Sequence, residues 1–193
     1  MSAVTNVLLF IVGCVFTQNV VFVRLLGCCG LTENRRIETA IGYGIAATVV
    51  MALASALNAV VYQFALAPAH LEYLQLPAYV LVIVLCTLAV GKAAGSVCPA
   101  LRDAVDDNFL YFAANCAVLG IALLNADKGV DIVTALVNGL MGGLGFLVAI
   151  VLMAGVQERI EFSPIPEACK GLPITMISAS LIAMALMGFM GIA

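Results

Sequence analysis

The stretch IVTALVNGLMGGLGFLVAIVLMAGVQ, residues 132–157, contains no Asp, Glu, Lys or Arg. A helix rises about 1.5 Å per residue, so this run is long enough to cross a hydrocarbon core about 30 Å thick. Five more charge-free runs lie at residues 1–23, 39–71, 73–91, 108–126 and 171–193, the shortest of them 19 residues long. A backbone in lipid must satisfy its own hydrogen bonds, which leaves helices or closed barrels. A barrel needs strict alternation of apolar and polar residues, and these runs have none. The expected fold is therefore all-α and integral to the membrane, with six transmembrane helices. A soluble helix bundle would need a charged outer face. Charged residues are only 10% of this chain and apolar residues 64%, against roughly 25% charged in a soluble domain. No Lys or Arg precedes Arg24, so the chain lacks the basic start of a cleaved secretory signal, and residues 1–23 read as a retained span.

The charges between the runs set an orientation. Arg24, Arg35 and Arg36 flank or fill the first loop, Lys92 and Arg102 the third, and Arg159 and Lys170 the fifth. The second loop, around Pro68–Leu76, has neither Lys nor Arg, and the fourth, Asp127–Asp131, has only Lys128. Positive loops stay on the cytoplasmic side. That puts both termini outside.

A weak internal repeat accompanies this pattern. Leu76-Pro77 and Leu172-Pro173 open the third and sixth spans, and Asn19 and Asn115 occupy matching places in the first and fourth. Ala40-Ile41 and Gly44 correspond to Ala135-Leu136 and Gly139. The chain thus reads as a single membrane domain, residues 1–193, made of repeat one, 1–96, and repeat two, 97–193. Three spans per half force the halves into opposite orientations, the inverted-repeat plan. Small residues such as Gly42, Gly44, Gly139, Gly142, Gly143 and Gly145 suit close helix packing. Gly142–Gly145 also fits an unwound stretch, and the residues leave both readings open.

Chemistry has few places to reside. No carboxylate lies deep in a run, so a buried Asp or Glu relay is not visible. An ion path would use Thr17, Gln18, Asn19, Asn115 or Asn138, which serve equally as hydrogen-bonding partners between helices. The lone His70 reads as a solvated loop residue, and no phosphate loop, zinc site, hydrolytic triad or nucleic-acid surface is discernible. The seven cysteines are odd in number and irregularly spaced, so they form no disulfide framework. Cys14 and Cys86 read as small apolar residues. Cys28 and Cys29 sit between Gly27 and Gly30, where the backbone can leave helical geometry. Cys116 follows Asn115 at the centre of the fourth run. An iron–sulfur cluster usually needs four thiolates; two from this chain would leave a second chain to supply the rest.

At these residues the chain resembles the A-subunit family (RnfA) of the Rnf complex, also called Rsx, the ion-translocating ferredoxin:NAD oxidoreductase of bacteria and some archaea. The resemblance runs through nearly the whole chain. Asn19–Cys29, Glu38–Gly42, Asn115–Asn125, Glu158-Arg159 and Met187-Gly188-Phe189 carry it, Asn115–Asn125 most specifically. The paralogous D and E subunits of the Na-translocating NADH:quinone reductase are the nearest confusion, the E subunit foremost. A non-redox inverted-repeat transporter is the rival from another class.

The resemblance implies an electron-transfer component in a prokaryotic cytoplasmic (inner) membrane. It would face a paralogous membrane protein of opposite topology, RnfE, each giving two cysteines to one intramembrane [2Fe–2S] cluster. The B, C, D and G subunits would complete a translocase moving Na⁺ or H⁺, with no NAD or flavin motif in this chain. By position the ligands are Cys116 and Cys29. The family often has Pro after the first cysteine. Here Gly30 stands in that place and Cys28 adds a thiol, so Cys28 remains an alternative to Cys29. Asn19, Asn115, Thr17 and Asn138 would lie behind the ligands or along the ion path. For one cluster to reach both Cys29 and Cys116, the chain must break or re-enter near residues 27–32.

Overall fold

The structure is a computed structural model, and it describes residues 20–24, 26–27, 37–66, 72–97, 115–164, 166 and 169–188. Those residues form helices and the turns that end them, with no strand among them. In chain order the helices are α1 (Val20–Arg24), α2 (Ile37–Val61), α3 (Gln75–Val97), α4 (Cys116–Asp127), α5 (Ile132–Glu161) and α6 (Leu172–Met187). A π-helical turn, Tyr62–Leu66, extends α2, and a 3₁₀ turn, Glu72–Leu74, leads into α3.

Three segments are long and apolar enough to cross a membrane: Ala40–Phe64, Gln75–Lys92 and Ile132–Glu161. These are the second, third and fifth expected spans. α4 and α6 are apolar but shorter, at 12 and 16 residues. Most of the first expected span, residues 1–19, lies outside the described residues, as does 101–114 of the stretch leading into the fourth. The chain is a membrane protein by these helices, while the six-span count rests on the sequence pattern.

Side chains are distributed as lipid requires. α2 turns Ile41, Ile45, Val49, Leu53 and Leu57 outward at a spacing of four and buries Ala40, Tyr43, Ala46, Ala47, Val50 and Ala54. Against hydrocarbon an exposed leucine costs nothing, so small residues are the ones that gain from facing another helix. α3 repeats the arrangement, with Leu81, Leu85 and Leu88 outward and Tyr79, Ile83, Cys86 and Thr87 inward.

The most extensive interface is α2 against α5, which run antiparallel. Gly44 packs on Leu147, Gly143 on Thr48, and Gly139 on Met51, Ala52 and Ser55. A Cβ added at Gly143 would come within 2.7 Å of the Thr48 Cα. Gly139 and Gly143, four apart, form one small-residue stripe and so explain the helices' close approach. The glycine-rich stretch 142–145 is thus regular helix, and the packing reading holds over the unwound one. Thr48 donates its hydroxyl proton to the Gly44 carbonyl at 2.8 Å, and Ser55 donates across the interface to the Ala135 carbonyl at 2.8 Å.

The bundle has two distinct ends. At one, Gln63 Nε2 donates to the Val130 carbonyl at 3.4 Å, tying the end of α2 to the turn between α4 and α5. At the other, Ile37 at the start of α2 shares a cleft with Glu158 and Arg159 at the end of α5. The α4–α5 turn is short. Gly129 takes φ +57°, and its N–H returns to the Ala126 carbonyl at 2.9 Å, as a left-handed residue after a helix does. α6 starts after Gly171, at φ +89°, with Pro173 in its first turn, where the missing N–H is not needed.

Candidate functional site

Cys116 is the first residue of α4. This corrects the expectation that Asn115-Cys116 occupies the middle of a continuous span. Asn115 is extended, with φ −71° and ψ 109°, and its side-chain oxygen accepts the Ala117 N–H at 2.9 Å. An asparagine in that role satisfies one of the free N–H groups at a helix start. Around this helix start stand Tyr43, in the second turn of α2, and Phe146, at the midpoint of α5. Asn115 Nδ2 reaches the Tyr43 hydroxyl at 3.5 Å, and the Tyr43 and Phe146 rings stand 6.1 Å apart, tilted by 43°.

Gly27 closes the site from the turn after α1. Its N–H donates to Cys116 Sγ at 2.9 Å, across 89 residues of chain. Gly27 adopts φ +87°, a left-handed conformation that favours glycine. A Cβ there would lie 2.6 Å from Phe146 Cε2 and 3.1 Å from Ala117 Cβ. Backbone dihedral and space therefore demand glycine independently. Leu26 presses on α4 one turn further along, filling the place of a side chain at Gly120. The segment after Val20 is thus not one continuous helix through residue 36, since α1 reaches only Arg24 and the Gly27 N–H meets the start of α4. Residues 28–32, the rest of the expected break, lie outside the described residues, as do Cys28, Cys29, Asn19 and Thr17.

The Cys116 sulfur thus stands at a helix start and accepts a backbone N–H from another segment. Hydrogen bonds to sulfur are among the features that tune iron–sulfur centres. Cys116 is only partly buried, unlike the core around it. No group of three or more His, Cys, Asp or Glu side chains able to hold a metal occurs among the described residues.

Asn138, expected near the ligands or the ion path, is not beside Cys116. Its Nδ2 donates to Asn125 Oδ1 at 2.9 Å, and Asn125 Nδ2 donates to the Ala135 carbonyl at 3.4 Å, near the α4–α5 turn. Of the polar candidates among the described residues, Asn115 is the one placed at the thiol. Cys86 is buried in the core, in keeping with its reading as an apolar residue, and is free, as is the partly buried Cys169. Nothing in the sequence pattern singled out Tyr43 or Phe146; Gly27 was marked only by its neighbouring cysteines.

A small α-helical membrane protein with a thiol presented at a helix start is the class these features define. The profile described as "Rnf-Nqr subunit, membrane protein" matches residues 7–193. The chain belongs to the Rnf-Nqr family. It is 41% identical over 188 residues to the A subunit of the ion-translocating oxidoreductase complex of Syntrophotalea carbinolica, covering 97% of each chain. It is also 41% identical, over 186 residues, to the A subunit of the Na(+)-translocating ferredoxin:NAD(+) oxidoreductase complex of Acetobacterium woodii, covering 95% of this chain and 97% of that one. With the corresponding A subunit of an Azoarcus species the identity is 37% over 96% of both chains. The family resemblance carried by Asn19–Cys29 and Asn115–Asn125 is borne out.

Proposed function

We propose that this chain is the A subunit of an ion-translocating ferredoxin:NAD oxidoreductase, and that it provides half of the ligands of an intramembrane [2Fe–2S] cluster. The contact of the Gly27 N–H with Cys116 Sγ carries this reading. Cys28 and Cys29 follow Gly27 directly, so covalent geometry keeps their Cα atoms within about 3.8 and 7.2 Å of the Gly27 Cα. On this reading one of these two cysteines is the chain's second ligand. The paralogous RnfE would contribute two more, with the B, C, D and G subunits completing the complex. When bound, the cluster supplies a one-electron carrier between reduced ferredoxin and the rest of the complex. The chain's own residues position that carrier: Asn115 fixes the start of α4, Gly27 offers its N–H to sulfur, and Phe146 keeps the Gly27 side dry.

The inverted-repeat plan has support of the same kind. In the α2–α5 interface, Gly44 opposite Leu147 corresponds under the repeat to Ala52 opposite Gly139, and Thr48 opposite Gly143 corresponds to itself. A two-fold axis through Thr48–Gly143 would relate the halves. The positive residues agree with the orientation read from the loops. Arg159 lies at the α2-start end, taken as cytoplasmic, while the opposite end carries Lys128 as its one basic residue among those described. The reading is then of a prokaryotic cytoplasmic-membrane protein with both termini outside. The names of the relatives do not favour the E subunit of an NADH:quinone reductase.

The deciding experiment is iron and sulfide analysis, with EPR, of the purified complex containing wild-type or Cys116→Ala chain. Loss of one [2Fe–2S] signal, together with ferredoxin-driven ion uptake, is expected in the variant. An iron content and activity equal to wild type would overturn the cluster reading and leave the non-redox transporter.

A further inference from the structure

At the end of the bundle opposite Arg159, a cavity of about 100 Å³ opens between α2, α3 and α4. Tyr62, Gln63, Tyr79 and Asn125 line it, with Gly129 and Val130 of the α4–α5 turn. One water needs only about 10–15 Å³ of such space, so several oxygen atoms fit. One polar group in the wall and one directly behind it have incomplete bonding. Asn58, next to Ala59 of the wall and one turn before Tyr62, is 1% exposed, and neither its amide oxygen nor its amide nitrogen has a partner. Tyr79 is fully buried; Gln75, one turn earlier, interacts with its hydroxyl, but no hydrogen bond of acceptable geometry forms. Buried polar atoms are nearly always satisfied, and exceptions inside a cavity point to a water or an ion.

We propose that this cavity is a site for a small monovalent metal cation on its way through the chain. The inference rests on the ion-translocating reading above and names a place for the ion. Its donors are neutral oxygens: the Asn58 amide, the Tyr79 and Tyr62 hydroxyls and the Asn125 amide. Hard oxygen donors suit alkali cations, whereas a divalent ion of this kind calls for carboxylates. No carboxylate or imidazole stands among these four side chains, so neutral oxygens alone would hold the ion. The turn outside, Asp127–Asp131, carries two carboxylates against the one ammonium of Lys128. A negative rim of that kind concentrates cations at the mouth. α4 links the two places, with Asn125 at the cavity and Cys116 at its opposite end.

Sodium-22 binding to the purified complex, measured without ferredoxin, tests this directly. Asn58→Leu keeps the side chain's size and removes both amide atoms; Tyr79→Phe removes only a hydroxyl. Asn58→Leu is expected to weaken sodium binding about tenfold, and Tyr79→Phe about threefold, the scale of a lost polar contact in a buried site. Iron content and the EPR signal should stay at wild-type values in both. Should Asn58→Leu fail to assemble, Tyr79→Phe decides alone. Wild-type sodium affinity in the assembled variants would overturn the proposal and leave a cavity that holds water only. A wild-type complex without iron would refute the cluster reading instead, and the sodium comparison would still stand.

Discussion

The Gly27 N–H points at the Cys116 sulfur from 2.9 Å, tying the segment after α1 to the start of α4. Cys116→Ala removes the acceptor together with the thiol, whereas the donor is backbone that no side-chain truncation removes. The bond's consequences are reached through the conformation that makes it possible.

Gly27→Ala should therefore be costly. Left-handed φ costs a residue with a Cβ about 1–2 kcal/mol, and the new atom would collide with Phe146. The expected outcome is a complex less stable by roughly 2–3 kcal/mol in thermal unfolding, with an altered or lost [2Fe–2S] EPR signal. Gly155→Ala is the matched control. Nothing lies within 4 Å of a Cβ placed there, and relieving a helical glycine should stabilise by about 0.4–1 kcal/mol.

The two adjacent cysteines can be separated by their iron content. Of Cys28→Ala and Cys29→Ala, one should lose the cluster and the other keep it, with Cys29 the expected ligand. Cys86→Ala and Cys169→Ala should both retain full iron. Equal loss in Cys28→Ala and Cys86→Ala would show general destabilisation rather than ligation.

Asn115→Ala removes the helix cap at the thiol, a loss of about 1 kcal/mol. The first turn of α4 should then fray and the cluster should be lost faster on incubation with an iron chelator. Asn115→Ser or Asn115→Asp retains a capping oxygen and should restore most of the retention. A chelation rate unchanged in Asn115→Ala would argue that the cap does not hold the thiol in place.

Gly143→Leu should prevent assembly. The branched side chain would have to displace Thr48 backbone at the tightest part of the α2–α5 interface, and small residues there are what permit the packing. The expected result is a chain that inserts in the membrane but does not co-purify with its complex, measured by affinity pull-down through a tag on one of the other components.

Charge-free runs reported the class of fold well because lipid excludes charge wherever a helix crosses. α2, α3 and α5 fall where those runs lie. The start of α4 at Cys116 was hidden for the same reason. The residues just before Asn115 are as apolar as those after it, so hydropathy carries no trace of where the helix starts. Asn115 looked like a costly polar residue at mid-span; its role, accepting a backbone N–H, emerges only when the helix start is seen. Asn58 and Tyr79 passed unnoticed because an amide or phenol in an apolar run reads as an ordinary helix–helix contact, and incomplete bonding is a property of the packed structure. The expected break was legible in part, through Gly27 beside two cysteines, since glycine next to ligand-type residues signals backbone freedom.

Cys116 is partly uncovered in a chain whose surrounding core is sealed. On the shared-cluster reading this fixes an order of biogenesis. A lone chain inserted in the bilayer has too few sulfurs to retain iron and leaves a thiol open to oxidation. Pairing with the paralogue has to come before iron loading, so newly made chains would depend on prompt partner synthesis, and an excess of this polypeptide alone would accumulate as an iron-free, oxidation-prone species.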